Sequence, residues 1–143
     1  MKRRSSRRYL PVVLILFLAL GLFPLLSCTS QSQTSSFCNA GAADFTPTGD
    51  EFVQYLLFRF DTADSEHTLT TPSAADIVAA YSGTVGEVLI FVVAADGANT
   101  VTISGGTNVT VKASASTVAA NSTLMIYCLL DNVSSDSEAV TIY

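Results

Sequence analysis

A chain of 143 residues that sets seven Lys and Arg against twelve Asp and Glu has room for one small domain and not for two. Five of the bases stand before residue 9, so from residue 28 onward the balance is 2 − 12 = −10, with Arg59 and Lys112 alone positive. That sign excludes a nucleic-acid partner, because phosphate backbones are held by clustered Lys and Arg. The acidic surplus favours solubility and a life outside the cytoplasm.

Lys2, Arg3, Arg4, Arg7 and Arg8 open the chain, Pro11 to Leu26 follow without a charge, and the small Ser27 precedes Cys28. A basic end, an apolar core and a small residue at the cut form the order of a secretory signal. The core falls short of the roughly 20 apolar residues of a spanning helix, and Pro24 breaks a helix near its end. An uncut signal-anchor helix over residues 9–26 is the competing expectation. Arg7-Arg8-Tyr9-Leu10-Pro11 starts like a twin-arginine export signal and departs from it after the pair. Leu25-Leu26-Ser27-Cys28 resembles the lipobox of bacterial lipoproteins, with Leu26 the less usual residue. The resemblance implies that residues 1–27 are a lipoprotein signal peptide and that Cys28 carries lipid. The protein would then be exported and anchored at the outer membrane or cell surface. Acyl chains contribute about 0.8 kcal/mol per buried CH₂, so several together make a stable anchor.

Residues 28–43, rich in Ser, Thr and Gln, show no apolar period and read as a flexible tether. The domain is expected over 44–143. "EFVQYLLFRF" (51–60) has strand composition with poor alternation, and "DTADSEHTLTT" (61–71) reads as a polar loop. "TPSAADIVAAYSG" gives the one short helix: Thr71 as cap, Pro72 in the first turn, Gly83 past the end, and Ile77, Val78 and Tyr81 on one side. "GEVLIFVVAA" (86–95) and "STLMIYCLL" (122–130) are continuous apolar runs and predict strands buried on both faces. "NTVTIS" (99–104), "NVTVKA" (108–113) and "EAVTIY" (138–143) alternate, and Gly105-Gly106 signals a turn. Short strands about ten residues apart predict a mainly β fold, a small β-sandwich or jelly-roll-like domain with one short helix.

No nucleophile–base set stands out, so no catalytic residue and no cofactor is expected. His67 reads as a solvated loop histidine. Asp61, Asp64 and Glu66 lack the spacing of a calcium loop, and no metal is expected. Cys38 and Cys128 are candidates for a disulfide in an oxidising compartment; against it, Cys128 sits in an apolar run where a free Cys packs as a small hydrophobe. Asn108, Asn121 and Asn132 begin Asn-x-Ser/Thr triplets, which are glycosylation sites only in a host that modifies exported proteins. Tyr55, Tyr81, Tyr127 and Tyr143 are candidates for stacking on sugars, although strand tyrosines more often pack.

From about Tyr55 to Tyr143 the segments "LTTPSAADIVAAYSGTVGEVLIFVV", "GANTVTISGGTNVTV" and "NSTLMIYCLLDNVSSDSEAVTIY" resemble a β-rich module of virion decoration or fibre-like proteins in tailed phages and large algal viruses. The resemblance implies a structural, non-enzymatic role and self-association as a trimer. The expected function is a lipid-anchored, surface-exposed structural or adhesive β module, with the membrane and further copies of the chain as partners. The alternatives are a carbohydrate- or ligand-binding lipoprotein that uses the loop around His67, and a virion structural protein with a signal-anchor N-terminus.

Overall fold

Alternation with a period of two places most of the chain. Along Val101–Ser104, Val101 and Ile103 are buried while Thr102 and Ser104 are exposed; along Ser122–Asn132, Ile126, Cys128 and Leu130 are buried while Met125 and Tyr127 are not. Such a strand presents one face to a core. The computed structural model describes residues 36–143. The expected signal peptide 1–27, the lipid site Cys28 and residues 29–35 of the tether lie outside them.

In chain order the strands are β1 (Ser36–Gly41), β2 (Tyr55–Asp61), β3 (His67–Thr70), β4 (Val88–Asp96), β5 (Val101–Ser104), β6 (Val109–Val111), β7 (Thr117–Val118), β8 (Ser122–Asn132) and β9 (Ala139–Ile142). Two helices, α1 (Gly49–Gln54) and α2 (Ala74–Tyr81), and a 3₁₀ turn, Ala113–Ala115, complete the elements. A six-stranded sheet runs in the order β1-β2-β4-β8-β9-β6, and a three-stranded sheet in the order β3-β5-β7. β1, β2 and β4 are parallel neighbours, β8 is antiparallel to both β4 and β9, and β6 is parallel to β9.

The two sheets share one core. Phe58, Phe60, Phe91, Ile126, Leu130 and Ile142 of the larger sheet join Leu69, Val101, Ile103 and Val118 of the smaller, with Phe52 of α1 and Ile77 of α2 in the same cluster. Phe91 lies edge-on to Phe52 and Phe58, with centroids 4.9 and 5.9 Å away. Each such pair is worth about 0.5–1.5 kcal/mol beyond burial. The whole cluster lies within the compact unit Gln31–Tyr143, so this unit carries its own core. The fold is mainly β, as the alternation predicts.

Four expectations need correction. The folded part takes in residues 36–41, ahead of residue 44: β1 pairs with β2 inside the stretch read as tether. Its inward residues are the small Cys38 and Ala40, which leave no apolar period to read. The stretch from Glu51 does not start a strand. Thr48 and Glu51 form a capping box, with Thr48 N–H donating to Glu51 Oε2 at 2.8 Å and Glu51 N–H donating to Thr48 Oγ1 at 3.3 Å, and this pair starts α1. Gly49 is required there, because a Cβ would stand 2.5 Å from the Asp76 carbonyl oxygen of α2. The polar loop contains β3, which pairs in parallel with β5, His67 opposite Val101 and Leu69 opposite Ile103. Finally, Ser73 rather than Thr71 caps α2, its Oγ accepting from Asp76 N–H at 3.1 Å. Thr71 is buried and tied to the Gly105-Gly106 turn by the Gly106 N–H, 3.0 Å away. α2 ends at Ser82, which takes the left-handed conformation expected of Gly83.

Candidate interaction face

Among the described residues the larger sheet is covered on one side only. Its inner side chains fill the core, and most of its outer side chains meet solvent, Ala94 and Thr141 being closed off by their neighbours on the sheet. Register sets the outer ones in rows. Phe37, Leu57, Val92 and Met125 lie side by side across β1, β2, β4 and β8. In the next row Ile90 is opposite Tyr127, and Tyr127 exchanges both backbone hydrogen bonds with Tyr143 at 3.1 and 2.9 Å. Beyond them Val88 is opposite Leu129. Met125 is 55% exposed, Phe37 50% and Tyr127 45%, with Tyr143, Val88 and Ile90 exposed as well. At about 4.8 Å between strands and about 6.7 Å between rows, the block covers roughly 20 by 20 Å. A solvated sheet face normally alternates to polar residues, and a contiguous apolar patch of this size marks an interaction site.

Polar groups border the block. Asp61 and Asp96 are opposite one another on β2 and β4, where like charges repel, and Arg59 binds Asp96 in an ion pair. With Asn39 these residues line a shallow cleft of about 270 Å³. At the other margin, Thr141 Oγ donates to Asp131 at 2.5 Å. Lys112 Nζ stands 5.8 Å from the centroid of the Tyr143 ring, a cation–π distance. Both bases of the described residues are therefore on the rim of this face.

Of the sequence-marked residues, Tyr127 and Tyr143 lie on the face and Asp61 on its border. Cys38 and Cys128 are both free thiols, and the candidate disulfide between them does not form. β2 and β4 stand between their strands, about 14 Å at the usual strand spacing. Register adds four residues along β8, from Leu124, level with Cys38, to Cys128. A disulfide needs Cα atoms about 4.4–6.8 Å apart. Burial, with a smaller contribution from Asp131, pushes the Cys128 thiol up to about 12; burial and then Glu51 raise that of Cys38. Tyr81 packs against the core, and burial and then Glu87 raise its phenol.

His67 is not a solvated loop residue. It begins β3, is 6% exposed, stacks on Phe60 with ring centroids 6.4 Å apart, and brings Nε2 to 3.4 Å from Ser65 Oγ. Among the described residues no three His, Cys, Asp or Glu side chains gather as metal ligands, and no helix is long and apolar enough to cross a membrane. Asn108 and Asn121 hold left-handed backbone, φ 59° and 50°, a conformation Asn tolerates better than most residues. Turn geometry thus accounts for both asparagines without a glycan. Asn132 ends β8, its Oδ1 accepting from Ser134 N–H at 2.9 Å.

Comparison with protein-family models, curated proteins and solved structures finds no match for the chain. Sequence reading missed the face because it took the apolar runs of β4 and β8 as buried on both sides. The signal was present in those runs, whose outer positions (Val88, Ile90, Met125 and Tyr127) are apolar.

Proposed function

We propose that this chain is an exported, lipid-anchored β domain without enzymatic activity, displayed at a membrane surface to make structural or adhesive contacts through the outer face of its larger sheet. One observation carries the reading: the monomer leaves Phe37, Ile90, Met125 and Tyr127 exposed together on a rigid sheet. An apolar block ringed by polar groups is the anatomy of a protein interface. Sheet-borne side chains lose little freedom on binding, which favours contact over catalysis as the task of such a face. The lipobox-like Leu25–Cys28 supports the anchor, and the acidic surface supports an exposed setting. The resemblance to virion modules supports a structural role.

The intact mass of protein extracted from membranes tests the anchor. The expected mass is that of a chain beginning at Cys28 and carrying a diacylglyceryl group. An uncut chain with a free Cys28 thiol refutes the lipoprotein reading. Protease accessibility on intact cells tests display, and a domain fully protected there refutes it.

A further inference from the structure

We infer that the partner of this face is a second copy of the chain, the two outer faces packing together about a two-fold axis. This rests on the reading of the face as the working surface and names its occupant. Charge is the first argument. Of the twelve carboxylates and two bases from residue 36 onward, Arg59, Lys112, Asp61, Asp96 and Asp131 border the face, for a local balance of 2 − 3 = −1. The other surfaces hold the remaining 12 − 3 = 9 carboxylates and no base. Two copies repel one another least here.

Size is the second argument. Six strands about 4.8 Å apart, ranging from three residues in β6 to eleven in β8, give the whole face a footprint of roughly 600 Å². A standard interface takes about 800 Å² from each partner. The third argument is composition. Tyr is enriched among the residues that dominate binding energy, Met adapts its shape to a facing surface, and Tyr127 and Met125 occupy the middle of the face on β8. A two-fold axis makes the face its own complement, as a closed dimer requires.

The test uses Gln31–Tyr143, which holds the entire core, followed over about 1 μM to 1 mM, the range of weak to moderate association, by sedimentation velocity. A concentration-dependent dimer is expected, tightening as salt screens the like charges. Met125→Lys and Tyr127→Lys, at exposed positions that the fold tolerates, should each weaken it by at least ~100-fold, since both copies carry the charge. Thr102→Lys, on the smaller sheet, should leave it unchanged. In membranes, the full chain with Cys38→Ser and Ile90→Cys should give a dimer band with a bismaleimide of about 10 Å, the distance between packed sheets. A strict monomer at the highest concentration, a trimer, a dimer indifferent to Met125→Lys and Tyr127→Lys, or no crosslink in membranes overturns the inference. If the mass and protease experiments succeed while the chain stays monomeric, display stands and pairing falls. If the chain proves unanchored yet dimerises through this face, pairing stands and the anchor falls.

Discussion

Two neighbours on β4 should respond oppositely to truncation. Phe91 is 1% exposed and edge-on to Phe52 and Phe58, whereas Ile90 points outward. Phe91→Ala removes about 150–200 Å² of buried apolar surface, about 4–5 kcal/mol at ~25 cal/mol per Å². The two edge-on contacts add to this, and partial collapse of the cavity subtracts, which leaves about 4 kcal/mol. A unit of about 110 residues has roughly 5–15 kcal/mol in total, so the variant sits near the edge of folding. Ile90→Thr keeps a β-branched side chain at an exposed position and should cost the monomer no more than about 0.5 kcal/mol. Urea unfolding of Gln31–Tyr143, followed by far-UV circular dichroism in the dilute monomer, measures both. At high protein concentration the proposed pairing should add stability to the wild type, and Ile90→Thr should gain less. Equal losses for the two variants in the dilute monomer would refute the reasoning, because they would mean that one chain covers both faces of β4.

Thr48→Ala breaks the capping box of α1 and should cost about 1 kcal/mol, read as a lowered urea midpoint with an unchanged slope. Asn121→Val places a β-branched side chain at φ 50° and should cost about 1–2 kcal/mol, whereas Asn121→Gly should be neutral or slightly stabilising; a drop in melting temperature for Val alone is the expected readout. Below pH 9 the Cys128 thiol is protonated in both states. Between the ordinary value of 9.0 and the folded value of about 12 only the unfolded chain loses the proton, so stability falls as pH rises through that window. Cys128→Ala should lose stability at neutral pH and show a flatter decline over the same range. In the native protein Cys128 should resist maleimide at pH 8 while Cys38, only partly buried, reacts.

Strands whose period stands out on a local scale were legible. β5, β6 and β9 fall within runs that the apolar pattern marks, and β4 and β8 overrun theirs by one and two residues, because Val, Ile and Thr alternate there or crowd together. β1, β3 and α1 were not, and each for a physical reason. β1 buries only Cys38 and Ala40, and its pairing with β2 is long-range, so neither composition nor neighbours announce it. β3 buries a histidine, which the eye reads as polar, although His67 and Leu69 alternate with Thr68 and Thr70 as a strand should. α1 is one turn and a half long, too short for an amphipathic period, and its only local signature is the Thr48–Glu51 pair. The face was half legible. Sequence gives the apolar content of both sides of β4 and β8, but how many sides one chain covers depends on the number of layers. The three-stranded sheet and the two helices supply a single cover.

The expected anchor admits two ways for two copies to share this face. Seven residues, 29–35, separate Cys28 from the start of β1, and even fully extended they reach only about 25 Å. Both copies of Ser36 must therefore lie close to one bilayer. A two-fold axis along the strands keeps the strands of the two copies running the same way, with both copies of Ser36 at one level. Ser36 pairs with Tyr55, two residues before Leu57, and so lies level with Ile90 and Tyr127; an axis across the strands through that row also keeps both copies of Ser36 at one level, and the reach of the tether permits either axis. Thr123 discriminates between the two, since it is exposed on β8 four residues before Tyr127. With the axis along the strands, Thr123 in one copy lies level with Thr123 in the other; with the axis across them, the pair is offset by about 26 Å. Thr123→Cys in the Cys38→Ser background should crosslink to itself through a bismaleimide of about 10 Å, the gap between stacked sheets, when the axis runs along the strands. A dimer that crosslinks at Ile90→Cys but never at Thr123→Cys has its axis across the strands.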